Sequence, residues 1–183
     1  MNFLEYVYNL NLEALAHGSN GVLHKHETSF VEVARNRLTA AGTCEDTRKS
    51  IREIVANLVG CEEFALYEVD YRRAVMWPRW SFGVHADLQR AVDLIAYPEL
   101  NPALQGQVTV YTSPKRLDCF PDAVSALVPI ACHDSRLAVL VLFGLLPQKS
   151  ALNETDNRLL EVLSLHGGRA LMDAVTSFSV GGK

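Results

Sequence analysis

The chain has 183 residues, 49% of them hydrophobic and 21% charged, with 17 basic against 21 acidic side chains and a formal net charge of −4. This is globular composition, long enough to bury one sizeable core, and it excludes a disordered or fibrous chain. The basic residues fall in scattered pairs such as Arg72/Arg73 and Lys115/Arg116, not in a stripe that could track a phosphate backbone, so no nucleic-acid partner is expected.

The first residues lack the positive n-region and apolar h-region of a secretory signal. From Phe3 to Ala16, the residues Phe3, Leu4, Val7, Tyr8 and Leu15 recur at helical spacing, before the breaker cluster His17-Gly18-Ser19-Asn20-Gly21. A second helix is predicted over Thr28 to Ala41, with Phe30, Val31, Ala34, Leu38 and Ala41 on one stripe. After Gly42, Thr43 with Asp46 three residues on reads as a capping box. It opens a helix through Ile51, Ile54, Val55, Leu58 and Val59 to Gly60.

At Phe64 the period changes to that of strands. Phe64 to Asp70 and Ala74 to Trp77 are predicted as strands joined by the polar Tyr71-Arg72-Arg73, with Pro78 interrupting the second. Asp87 to Ile95 is expected to be a short helix with Leu88, Ala91, Val92 and Ile95 on one side, and Gln107 to Tyr111 a strand. Ser125 to Cys132 and Arg136 to Gly144 form a predicted antiparallel hairpin around His133-Asp134-Ser135. The run Leu137 to Phe143 is apolar throughout, as in a strand covered on both faces, and stops far short of a membrane span. Pro129 inside the preceding strand argues for an edge or a bulge. Asn153 caps a closing helix whose packing face is Leu159, Leu160, Leu163, Gly167, Ala170, Leu171 and Ala174. Gly167-Gly168 inside that helix implies the close approach of another helix.

The order of elements, together with Val128-Pro129-Ile130, the apolar Leu137-Ala138-Val139-Leu140-Val141-Leu142 and the helix start Leu152-Asn153-Glu154-Thr155-Asp156-Asn157-Arg158-Leu159-Leu160, resembles the GAF family. The likeness extends over residues 30–176 and is most specific over 125–174. It implies an α+β, PAS-related fold: a central antiparallel β-sheet of about five to six strands, N- and C-terminal helices on one face, and a ligand pocket on the other. It also implies a boundary, with a helical appendage over residues 1–26, the GAF-like domain over 27–178 and a flexible tail over 179–183. The family binds cyclic nucleotides, bilins, haem or other small molecules. This chain has no Asn-Lys-Phe-Asp-Glu-like string of the cyclic-nucleotide binders, and its Cys132-His133 falls at a hairpin turn, so the bilin-attachment role of a similar dipeptide is not carried over. Its cysteine spacing does not match the free methionine sulfoxide reductase branch. The cofactor, if there is one, is left unknown.

No catalytic constellation emerges. His24-Lys25-His26-Glu27 could offer metal ligands only if extended, since residues i and i+2 diverge on a helix; the competing reading is a solvated linker, and no metal is expected. Cys132-His133-Asp134 cannot converge as a triad from adjacent strand and turn positions. Cys119 lies between Asp118 and Asp122, which disfavours its thiolate although the loop could leave it open to oxidation. The four cysteines, Cys44, Cys61, Cys119 and Cys132, read as reduced thiols of a cytoplasmic protein.

The aromatics of the middle third suit a small-molecule wall: Trp77, Trp80, Phe82, Tyr97 and Tyr111, with Arg79 and His85 to meet an anionic ligand. The alternative is that they simply fill space. The expected function is a non-catalytic sensory or regulatory domain that binds a small molecule and signals through its terminal helices to a partner protein. A homodimer is expected, built on Phe3, Val7, Leu15, Leu163, Gly167 and Ala170. Two other readings stay open: a ligand-free interaction module, and a thiol redox enzyme, which needs two cysteines within disulfide range.

Overall fold

A computed structural model describes residues 20–84, 90–132, 137–168 and 171, with side chains from residue 30 onward. The six strands are β1 (Phe64–Asp70), β2 (Val75–Phe82), β3 (Val92–Asp93), β4 (Thr109–Lys115), β5 (Val124–Ala131) and β6 (Leu137–Leu142). They form one antiparallel sheet in the order β3-β2-β1-β6-β5-β4. The apolar stretch around β6 explains that order. All six residues of β6 are buried, so it takes the middle of the sheet, between β1 and β5, with a covering layer on each face.

One layer is helical: α1 (Asn20–Ala40), α2 (Cys44–Glu53), which continues as a π-helical turn over Ile54–Val59, and α4 (Glu154–His166). Ala34 and Leu38 of α1, Ile51 of α2, Ile54 and Val55 of the π-turn, and Leu160 of α4 bury against Leu66, Val128 and Leu140 of the sheet. The α2 cap is as expected, with Thr43 Oγ1 accepting from the Asp46 amide at 3.1 Å. Gly60, left-handed at φ 73°, ends the π-turn.

The second layer is the excursion between β2 and β5. It contains β3, a 3-10 turn (Pro98–Leu100), the single-turn α3 (Asn101–Leu104) and the loop through Leu117 and Phe120. Tyr71, in the β1–β2 turn, donates its hydroxyl to the Leu104 carbonyl at 3.0 Å and ties this layer down.

Several expectations change. The first described helix covers Asn20–Ala40, so Asn20 and Gly21 are helical and do not break the chain. The segment His24-Lys25-His26-Glu27 lies within it and is neither a linker nor extended. The helix expected over 87–95 is replaced at Val92–Asp93 by a strand paired to Met76 and Val75, because edge pairing there satisfies backbone groups that a short isolated helix leaves open. Its residues 85–89 lie outside the described residues. Pro129 pairs with Val139 of β6, but described pairing with β4 ends at Leu127, so a local edge does accommodate it. Gly167 and Gly168 follow the last helical residue, His166. A Cβ on Gly168 would stand 2.0 Å from the Ala131 carbonyl oxygen, so the close neighbour is the end of β5 and not another helix.

The two ends of the helical layer are joined by one charged clip. Lys149 Nζ donates to the Val59 carbonyl at 2.6 Å and to Asp156 Oδ1 at 2.7 Å. Asp156 is also half of the α4 capping box, receiving the Asn153 amide at 2.7 Å while Asn153 Oδ1 accepts from the Asp156 amide at 2.9 Å. Because Asp156 is buried, removing its cation leaves an uncompensated charge. Lys149→Met is expected to lower unfolding free energy by about 2–4 kcal/mol, read by urea denaturation; a loss below about 0.5 kcal/mol would place the pair among weak surface contacts.

Candidate ligand-binding site

The aromatic residues of the middle third do not converge. Strand alternation sends Phe64 and Leu66 of β1 to the helical face and Ala65, Tyr67 and Val69 to the opposite, distal face. Directly opposed residues share a face, and Trp80 faces Leu66 while Phe82 faces Phe64. Trp80 meets Phe64 edge-on at 5.5 Å, and Phe82 lies 5.4 Å from the same ring. The Arg52 guanidinium sits 4.3 Å above Phe82.

A bulge then intervenes: Leu66 pairs with Trp80 but Tyr67 pairs with Pro78, which leaves Arg79 as the extra residue. The shift keeps Trp77, opposite Glu68, on the helical side as well, where it is 42% exposed. Arg79 pairs with Glu68 at 2.5 Å and is thereby removed from the distal face. Trp77, Arg79, Trp80 and Phe82 are therefore not part of a distal wall. Tyr97 and Tyr111 are, packed against the distal core; His85 lies outside the described residues.

The distal face acquires two rings that sequence patterning missed. Phe120 stands edge-on to Tyr67 at 5.5 Å and to Phe143 at 5.8 Å. Within this apolar layer a few polar groups collect. Tyr67 is buried to 1% exposure. Burial, then the nearby Cys119, push it up to about 12. Cys119, half-buried, is pushed up to about 11, first by burial and then by Glu99 and Asp118. Tyr111 is raised by burial and by the same Glu99 and Cys119. Tyr67, Tyr111 and Cys119 all pack at the distal core beneath the excursion. The sequence signal for this packing was an aromatic, Phe120, beside a cysteine in an otherwise polar loop.

Cys44, Cys61 and Cys119 are free thiols. Cys61, buried at the sheet margin, is pushed up to about 12, chiefly by burial. Among the described residues no group of three or more His, Cys, Asp or Glu side chains could hold a metal ion, and no helix is long and apolar enough to cross a membrane. Of the expected self-association residues, Leu163 and Gly167 are buried inside the chain, Gly167 against Ile130 of β5, and offer no surface to a second copy. Phe3, Val7, Leu15 and Ala170 lie outside the described residues.

No protein-family model matches the sequence, and no curated protein matches it. Solved structures do. The GAF domain of an Acinetobacter phosphoenolpyruvate-protein phosphotransferase superposes with a TM-score of 0.62 over 84% of this chain and 98% of its own, at 14% identity. This is the GAF-domain fold. A methyl-accepting chemotaxis protein domain shares it with a TM-score of 0.55, 12% identity and coverage of 80% and 99% of the two chains. The free methionine-R-sulfoxide reductase of Neisseria meningitidis, solved with its substrate, shares it at 0.51, with 14% identity and coverage of 76% and 87%. The resemblance read from the hairpin and helix-start residues thus corresponds to the architecture, with the GAF arrangement of helices on one face of the sheet and an excursion over the other.

Raised thiols and phenols have two measurable consequences. A thiol near 11 holds little thiolate at neutral pH, so Cys119 in the folded chain is expected to react with iodoacetamide at pH 8 at least tenfold more slowly than after unfolding, followed by peptide mass mapping; equal rates would refute the buried, acid-flanked placement. Cys61, Cys119 and Tyr67 all hold their protons more tightly when folded. Their contribution is thus fully present below about pH 9 and is lost as pH climbs toward 12. Urea midpoints should accordingly fall between pH 9 and 11, and Cys61→Ala should flatten that fall.

Proposed function

We propose that this chain is a sensory or regulatory GAF-type domain that binds a small molecule on the distal face of its sheet and passes occupancy through its helices to a partner protein. The observation that carries the reading is Tyr67, a phenol set among the apolar residues of the distal face with Phe120 edge-on to it at 5.5 Å. The surrounding rings, with a small number of polar groups set among them, are the ordinary chemistry of a small-molecule site.

Strand β5 supports a route to the helices. Leu127 packs in the distal core, Val128 and Ile130 pack under the helices, and the strand ends with the Ala131 carbonyl against Gly168 at the close of α4. A shift of β5 on ligand entry is thereby felt at the helix end, because packed elements move as units. The raised thiols argue against a nucleophilic redox role for Cys61 and Cys119.

Native mass spectrometry of protein purified from its own host, beside the same sample denatured, tests the proposal. A small-molecule mass released on denaturation, and missing from a Tyr67→Phe/Phe120→Ala variant, is the expected result. An intact chain with no companion mass, unaltered by that variant, would favour a ligand-free interaction module.

A further inference from the structure

We infer that the helical side of β2 is a docking surface for an amphipathic helix of a partner protein, one that carries acidic residues beside its apolar stripe. The inference rests on the reading above only for the existence of a partner protein, and it stands whether or not the distal face holds a ligand. It begins with an incomplete layer. Helix α4 packs on β5, and no described helix packs along β2. The helical face of β2 nonetheless carries three large rings: Phe82 opposite Phe64, Trp80 opposite Leu66 and Trp77 opposite Glu68. Phe82 and Trp80 are half-buried and Trp77 is exposed.

The row has the dimensions of a helix stripe. Its rings stand opposite alternate residues from Phe64 to Glu68, a span of about 13 Å along a strand. Apolar residues at i, i+4 and i+8 of a helix cover about 12 Å, so one such stripe meets all three rings. Tryptophan and arginine together in an exposed apolar patch are the composition of binding hot spots. The charge at the rim selects the partner. Arg52, exposed at the end of α2, lies over the Phe82 ring at 4.3 Å and has no ion pair among the described residues. Arg90 is exposed two residues ahead of Val92, which pairs with Met76 beside Trp77. The carboxylate within the row, Glu68, is already spent on Arg79. Glu62 stands beyond the Phe82 end, its carbonyl against Gly83. In a chain of net charge −4 this rim is locally cationic, so it steers acidic side chains toward the rings and repels a basic helix.

The test places the photocrosslinker p-benzoylphenylalanine at Trp77 of the full chain, expressed in its own host, with Leu165, exposed on α4, as the control position. The crosslinked peptide is then sequenced by mass spectrometry. A segment of another polypeptide with apolar residues at helical spacing and a net negative charge, captured from Trp77 and not from Leu165, is the expected result. Its synthetic copy is next titrated onto the chain by fluorescence anisotropy. Trp77→Ser and Arg52→Glu, both at exposed positions that the fold does not depend on, should each weaken binding at least tenfold, while Lys115→Glu on β4 at the opposite edge of the sheet stays within twofold. Capture of a second copy of this chain would reassign the surface to self-association and overturn the proposal. A basic or non-helical segment, no crosslink at Trp77, or binding unaltered by Trp77→Ser and Arg52→Glu would overturn it as well. None of these outcomes bears on a small molecule at the distal face, which the companion mass of the intact chain reports separately.

Discussion

Strand β6 meets water on neither face, and the rest of the chain is organised around that condition. Its six buried residues, with those of β1 and β5 beside them, need apolar cover above and below, since each large side chain left wet forfeits about 1.5–3 kcal/mol. Helices α1, α2 and α4 supply one cover and the β2–β5 excursion supplies the other. Even the polar residue in this region conforms: Ser125, buried in β5, returns its hydroxyl to the Phe143 carbonyl at 2.6 Å.

The two covers differ in kind. The helical one is closed by periodic stripes and fixed at its ends, by Lys149 between Val59 and Asp156 and by Gly168 against Ala131. The excursion is short on regular structure. Tyr67, Cys119 and Tyr111 are all held away from ionisation, chiefly by burial. Irregular backbone over a rigid sheet is where binding residues ordinarily collect, because the scaffold holds them while their own segments are free to vary.

Neighbours of the same fold include a domain of a phosphotransferase, a domain of a chemotaxis protein and a reductase, so architecture alone selects no activity. Cys61 and Cys119 are shifted away from thiolate, chiefly by burial.

Local chemistry was legible in the residues themselves. Thr43 with Asp46 and Asn153 with Asp156 marked the two helix starts, and the uninterrupted apolar run of β6 announced a strand covered twice. These signals rest on contacts within a few positions of the chain, or on burial that every residue of a segment shares. Of the aromatic wall expected from the sequence, Tyr97 and Tyr111 pack at the distal core. Trp77, Arg79, Trp80 and Phe82 lay close in sequence to a plausible wall, yet one bulge between Leu66 and Tyr67 sent them to the helical face. Gly168 similarly signalled a close approach without saying to what. Which face a strand residue occupies, and what it meets there, depends on register against partners dozens of residues away; helix starts, strand runs and cover were therefore written into the sequence, while the membership of the site was decided by the tertiary structure.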